Sequence, residues 1–392
     1  MDGMSYGSEE AAMQAYLREG EKRAMALGNR GPIRFTKTGD LDPAIVEAYW
    51  RCGFYVFEGA LRKEELADIE ADLHDIQDRL PVEKGAPVDR KGRPALALDC
   101  KAPILHWARP LGDPWGGTDA ANGRHPVKMH EPKAADGLPK EVVFLLLGSL
   151  QFSDASLRVY GHPGLLGVAA AINGPDFTPF NEALWIKEPG KGASVAWHQD
   201  GVTHWDSPDW DEGSHGFNFM GQLYGCTAAN GVWVVPGSHK RGKIDIAAEV
   251  ARAGTERLPD AVPIICAPGD VAMTNRQALH GSFANTSKDW RVTVKAPIPL
   301  SAFPAGSILA LLGALLGLGT PDWDFGARGA LLGITRGTLG DLKVLAMGKQ
   351  QRGAVFSMRE DPVFQSTLAR LEARWRSARA LLQRAHPGEI GR

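Results

Sequence analysis

The chain has 392 residues, 44 Lys and Arg against 46 Asp and Glu, and a formal net charge of −2, with 44% apolar and 23% charged residues. That balance fits an ordinary soluble globular protein and leaves no electrostatic case for nucleic acid or an anionic membrane surface. The four cysteines, Cys52, Cys100, Cys226 and Cys266, are widely spaced with no C-x-x-C, which reads as free thiols in a reducing compartment.

The first ten residues are acidic and polar, without a basic-then-apolar leader pattern, so cytoplasm is the expected location. Residues 8–27 have helical composition, with Ser8 as N-cap. Asp42-Pro43 opens a second helix that ends near Gly53, and Phe54–Phe57 reads as a strand. Leu66, Ile69, Leu73 and Ile76, at three- and four-residue steps, predict an amphipathic scaffold helix over 61–80. Residues 81–140, rich in Pro, Gly and charge, are too long for a featureless loop and read as a lid or substrate segment. Taken one at a time, its His106, Arg124, His125 and His130 read as surface polar residues. Glu141–Leu147 fits a strand or a buried helix, and Leu157–Ile172 a helix ending at Asn173-Gly174.

The chemistry begins at Ala183–Glu188 and Ala193–His198, two strands joined by a Gly-rich turn at Pro189-Gly190. Residues two apart on a strand share a face, so His198 and Asp200 aim into one cavity. His280 follows Ile264–Cys266, Pro268-Gly269 and Asp270–Met273, which read as strand, turn and strand. His280 itself sits on a short connection, and Arg291-Val-Thr-Val294 opens the next strand. Two imidazoles and one carboxylate make a facial triad for non-haem iron with three positions open. An arginine beyond the distal histidine can grip an organic acid through its planar fork. Together these suggest oxygen activation driven by a 2-oxo acid.

Between these pieces, residues 201–219 form an unusual loop that starts beside the triad. Trp205, with His204 next to it, is a candidate substrate contact, and the acidic residues there read as a solvated face. Lys240, Arg241 and Lys243 read as a solvated turn, which gives no cationic groove for a CoA phosphate. The most apolar run, Ile308–Leu318, is eleven residues, short of the roughly 20 that span a bilayer. Residues 360–385 predict a long amphipathic helix closing over the core or forming a dimer interface.

The pieces Lys187-Glu-Pro-Gly190, Trp197-His-Gln-Asp200, Asn230-Gly-Val-Trp-Val-Val-Pro-Gly-Ser-His239, Pro268-Gly-Asp270, His280-Gly-Ser282 and Asn285-Thr-Ser287 before Arg291 resemble the phytanoyl-CoA dioxygenase family of Fe(II)/2-oxoglutarate-dependent oxygenases. The resemblance covers about residues 42–300. It implies a mainly β fold with flanking helices. The core would be a double-stranded β-helix (jelly-roll, cupin-like), with N-terminal helices and a C-terminal helical extension. The expected organisation is one domain over 1–300 and an extension over 301–392, packed on that domain or at an oligomer interface. Carried over position by position, His198, Asp200 and His280 would hold Fe(II), and Arg291 the far carboxylate of 2-oxoglutarate, with O2 as second cosubstrate. Gln199, Ser282, Asn181 and Lys187 would lie near the cosubstrate.

The implied activity is oxidation, most simply hydroxylation, of an unactivated C–H bond in a small or medium-sized metabolite, releasing succinate and CO2. The retained Asp200 argues against halogenation, which needs that position vacated. Desaturation, cyclisation and demethylation stay open, as does an acyl-CoA or fatty-acyl substrate. The protein would be a monomer or homodimer. A metal-dependent non-oxidative jelly-roll enzyme would not need Arg291. A silent binding protein on the same fold is disfavoured by retention of all three ligands.

Overall fold

The computed structural model describes residues 5–98, 100, 104–149, 152–160, 162–173, 183–200 and 216–298. The expected C-terminal extension and the predicted helix over 360–385 therefore lie outside the described residues, as do Asn181, His204 and Trp205. By packing, the chain divides into two units. One comprises the described residues within 1–66, 106–145 and 184–295; the other comprises those within 67–105, 146–183 and 296–298.

The elements run α1 (Glu10–Met25), β1 (Arg30–Gly31), α2 (Pro43–Cys52), β2 (Phe54–Phe57), α3 (Lys63–Asp78), β3 (Leu105–Ala108), β4 (Val142–Leu147), α4 (Asp154–Tyr160), α5 (Pro163–Asn173), β5 (Ala183–Lys187), β6 (Val195–His198), β7 (Phe217–Gln222), β8 (Trp233–Val234), α6 (Ile246–Ala253), β9 (Val262–Pro263), β10 (Val271–Asn275), β11 (His280–Ser282) and β12 (Arg291–Ile298). The strands form an eight-stranded sheet in the order β1-β2-β10-β7-β12-β5-β4-β3 and a four-stranded sheet in the order β6-β11-β8-β9. This is the jelly-roll core with flanking helices that the motifs imply. The ambiguous segment before Leu147 resolves as a strand, because it pairs inside the larger sheet rather than standing alone.

Local chemistry accounts for most boundaries. The Asp42 carboxylate accepts a hydrogen bond from the Ala44 amide at 2.9 Å, capping α2, and Pro43 occupies its first turn. Gly53 ends α2 at φ +80°, and a Cβ there would stand 2.6 Å from His239 Nδ1, so only glycine fits. Two expectations fail. Ser8 does not cap α1: a short 3-10 turn at Gly7–Glu9 precedes the helix, and no side chain caps it. The helix expected over 157–172 is two, because Pro163 has no N–H to continue α4 and disfavours helical backbone in the residue before it.

In the first unit, Trp197 and Phe283 alternate with His198 and Ser282 along β6 and the end of β11. They bury on the opposite face with Trp233, Met13 and Ala261. Tyr16 of α1 stacks on Trp233 with ring centroids 4.3 Å apart, and the indole N–H groups of Trp197 and Trp233 donate to the Glu256 and Ala228 carbonyls. Buried aromatic area of this kind is worth about 2–3 kcal/mol per side chain, and it anchors the small sheet from behind the site. In the second unit, Ile69, Leu73 and Ile76 of α3 are buried as their spacing predicts. The Asp72 carboxylate there accepts from Ser153 Oγ and the Ala155 amide, securing the start of α4.

Candidate metal centre

His198 closes β6, and its antiparallel partner across the sheet is His280, the first residue of β11. The distal histidine is thus on a strand, not on a loop as its sequence context suggests. The imidazole centroids are 4.1 Å apart. A close backbone crossing makes this possible: a Cβ on Gly281 would stand 3.0 Å from the Val195 carbonyl oxygen and 3.2 Å from the Trp197 nitrogen. Asp200 follows β6, its amide donating to the Arg276 carbonyl at 2.6 Å. Its carboxylate lies 3.4 Å from His198 Nε2 and 4.0 Å from His280 Nε2. One donor atom from each of the three residues falls within 4.8 Å of the others. Ligands at about 2.1 Å from one first-row cation in mutually cis positions stand about 3 Å apart, so the three are near the spacing of a metal-bound facial triad.

The protonation states suit a cation. His198 Nδ1 donates to the Ala196 carbonyl at 2.9 Å and His280 Nδ1 to the Ala278 carbonyl at 2.8 Å, each two residues back. That bond fixes the tautomer and leaves both Nε2 lone pairs free to ligate. Burial pushes His198 well below the usual imidazole range, helped by His280 and His125, and burial lowers His280 as well. Burial also pushes the Asp200 carboxyl up, but Lys295, His198, His280 and Arg276 together hold it well below the ordinary carboxylate range. Two neutral imidazoles and an ionised carboxylate are the donor set a non-haem Fe(II) site requires.

Arg291 opens β12, 3% exposed, and lines an open cleft with His198 and His280. Its Nε donates to Thr293 Oγ1 at 3.1 Å, and Thr293 donates to Gln222 Oε1 at 2.8 Å, which fixes the plane of the guanidinium. Among the described residues no carboxylate pairs with it. Ser282 lines the same cleft. Lys187 does not: it stands behind Ser282, its fully buried ammonium donating to Ser282 Oγ at 2.8 Å and to the Phe283 carbonyl at 2.5 Å. Burial, and then Arg291, drive the Lys187 amine well below its usual range.

Gln199, expected near the cosubstrate, is not among the residues that line the cleft. Between His198 and Asp200 it must point to the other face. Its carboxamide donates to the carbonyls of Gly242 and Gln277 and accepts from the Ile244 amide, so it ties loops together behind the site.

Four residues of the site carry no motif. Asn218 of β7 and Lys295 of β12 both donate to Asp200 Oδ2, at 2.8 and 3.0 Å. Arg124 lies 3.6 Å from Asp200 Oδ1. His125 is fully buried, its ring 4.3 Å from that of His198, and its Nδ1 shares the Ala196 carbonyl with His198. The surface reading of Arg124 and His125 is therefore corrected: the segment before β4 folds them against the triad. Lys295 could have been found in the sequence, since it continues the alternation Arg291, Thr293 on one face of β12. Nothing local marks His125.

A family profile described as Phytanoyl-CoA dioxygenase (PhyH) matches residues 49–293, more than half of the chain. The chain belongs to the phytanoyl-CoA dioxygenase family. A second profile, Acyl-CoA dehydrogenase, C-terminal domain, matches residues 326–388, outside the described residues. No curated protein matches the sequence. Among solved structures, AviO1 from Streptomyces viridochromogenes Tue57 is 23% identical at a TM-score of 0.46, over 67% of this chain and 96% of that one. EctD from S. alaskensis with 2-oxoglutarate and 5-hydroxyectoine is 18% identical at 0.46, over 68% and 79%. EvdMO1 is 20% identical at 0.46, over 66% of this chain, which spans about half (49%) of that protein. No helix among the described residues is long and apolar enough to cross a membrane.

Proposed function

We propose that this family member is an Fe(II)- and 2-oxoglutarate-dependent oxygenase that hydroxylates a C–H bond of a small or medium-sized metabolite. The observation that carries the reading is the convergence of His198, Asp200 and His280 on one point in a cleft that Arg291 also lines. In this reading His198 Nε2, His280 Nε2 and an Asp200 oxygen hold the metal. Bound there, Fe(II) with 2-oxoglutarate supplies the oxidising chemistry, with succinate and CO2 as coproducts.

The chain's own groups do the rest. The Ala196 and Ala278 carbonyls keep both imidazoles in the ligating tautomer. Asn218 and Lys295 donate to Asp200 Oδ2 and would hold the carboxylate in place, with Oδ1 the freer oxygen for a metal. Arg291, held by Thr293, grips the far carboxylate of the cosubstrate through its fork. Ser282, held by Lys187, adds a hydroxyl beside it. Trp185, Val195, Met220 and Val232 give the cleft apolar walls that exclude water around the reacting carbon.

An acyl-CoA substrate is the second reading, favoured by one observation, the match of residues 326–388 to an acyl-CoA dehydrogenase C-terminal domain. The test of the oxygenase reading is 2-oxoglutarate turnover in air with Fe(II), measured as succinate. Wild type is expected to release succinate, and Arg291→Ala to lose it at cosubstrate levels that saturate wild type. A metal-dependent activity that survives Arg291→Ala and consumes no 2-oxoglutarate would contradict it.

A further inference from the structure

Lys295 stands four residues after Arg291 on β12, with Thr293 between them, so all three share one face. At about 3.3 Å per residue the backbones of Arg291 and Lys295 are about 13 Å apart. Both side chains line the cleft. Lys295 is at the triad end, its Nζ 3.0 Å from Asp200 Oδ2. Arg124 reaches the other oxygen of that carboxylate from the loop before β4, with its side chain 30% exposed. Among the described residues, Arg124, Lys295 and Arg276 all act on the one triad carboxylate, Asp200, and Arg291 lines the same cleft as Lys295.

That excess persists in the working state. On the oxygenase reading, on which this inference rests, the metal adds two positive charges and the cosubstrate two negative ones, so the net excess is unchanged. Asp200 then shares its charge with the metal, and Lys295 and Arg124 lose much of their counter-charge. Arg291 has a partner in the cosubstrate. Among the described residues Lys295 and Arg124 have only Asp200, and they sit at the triad, beside the position where a C–H bond must be presented.

We propose that Lys295, assisted by Arg124, binds an oxyanion of the substrate. The substrate class is an organic acid, carboxylate or phosphate, oxidised at a carbon a few bonds from its acid group. The apolar walls at Trp185, Val195, Met220 and Val232 take its hydrocarbon part. Lys295 is then a specificity-determining residue, and the strand that grips the cosubstrate at one end grips the substrate at the other.

The test uses the full-length protein loaded anaerobically with Fe(II) and 2-oxoglutarate. The visible charge-transfer band of that complex is established first. Its absence in wild type would overturn the oxygenase reading, which separates that failure from failure of the present inference. With the band in place, octanoate, octyl phosphate, octanamide, octylamine and octanoyl-CoA are compared as probes. The readouts are perturbation of the band and of tryptophan fluorescence, and succinate release above the probe-free rate in air.

Octanoate or octyl phosphate is expected to bind about tenfold or more tightly than octanamide. Lys295→Met should abolish that preference, Lys295→Arg should retain it, and Arg124→Gln should reduce it. Equal affinity across the set, a preference for the amine or the thioester, or an acid preference that survives Lys295→Met would overturn the proposal. So would Lys295→Met weakening metal binding with the acid preference intact, which would make Lys295 a positioning residue for Asp200. If Lys295→Met does not fold, Arg124→Gln carries the same comparison, since that side chain is partly exposed.

Discussion

Lys187 and Arg291 are two buried basic side chains without a carboxylate partner among the described residues, Lys187 bonded to Ser282 and the Phe283 carbonyl and Arg291 to Thr293. Their differing engagement separates their roles. Arg291 faces the cleft, and its replacement by alanine removes charge-assisted hydrogen bonds to the cosubstrate, worth about 2–3 kcal/mol, or roughly 30- to 150-fold in 2-oxoglutarate affinity. Titration of the metal-loaded protein with 2-oxoglutarate measures it. Lys187 acts one layer back. Its folded pKa lies well below the unfolded value of 10.5, so between those two values the unfolded chain binds more protons and wild-type stability rises with pH. Lys187→Met removes that proton linkage. The stability of the variant relative to wild type should therefore be greatest near pH 7 and decline as pH approaches 10.5, read by denaturant titration at several pH values. Its 2-oxoglutarate affinity should fall by less than that of Arg291→Ala, because Ser282 loses its anchor but the fork remains.

At the scale of elements, the site is a crossing of two short strands, and Gly281 sets how close they come. Gly281→Ala would force β11 away from the Val195 carbonyl and the Trp197 backbone, a strain of about 1–3 kcal/mol. It would also widen the gap between the two imidazoles. The expected result is a lower Tm together with weaker metal binding, checked by calorimetry with and without metal. A Tm loss with unchanged metal affinity would show that the crossing does not position the ligands.

This crossing also explains what could be read in the sequence. β5, β6, β10 and β12 are legible because alternation and turn residues are local signals, and His198 and Asp200 inherit their common direction from them. The same alternation, followed one residue at a time, sends Gln199 to the far face, and following it two residues past Thr293 finds Lys295. Arg124 and His125 were not legible. They come from an irregular segment whose path is set by what it packs against, and their burial exists only after the chain has folded around the triad. The division of 154–173 into two helices was a missed local signal, since Pro163 carries it.

For the whole molecule, the histidines give a pH signature. His125, His198, His239 and His280 are all lowered by burial, His239 to about 4. Their folded pKa values lie below the unfolded value of about 6.5. As pH falls below 6.5 the unfolded chain takes up protons that the folded chain refuses, and stability is lost progressively through that window. Each unit of depression costs about 1.4 kcal/mol once the window is crossed. Asp200, lowered instead, loses its contribution only below 3.8 and does not blur the effect. The metal-free protein should therefore drop on the order of 5 °C or more in Tm between pH 7 and pH 5. A divalent metal should raise Tm most at neutral pH, where both ligand imidazoles are free to bind it.

The central claim, that His198, Asp200 and His280 hold Fe(II) in a cleft where Arg291 receives 2-oxoglutarate, is tested most directly by anaerobic titration of the metal-free protein. Fe(II) and then 2-oxoglutarate are added while the visible charge-transfer band of their chelate is followed, with His198→Ala and Arg291→Ala alongside. The account predicts a band that saturates at one metal per chain in wild type. It predicts no band in His198→Ala, and a band in Arg291→Ala only at much higher 2-oxoglutarate. Iron bound without a band would contradict the cosubstrate assignment, and a band undiminished in His198→Ala would contradict the metal centre itself.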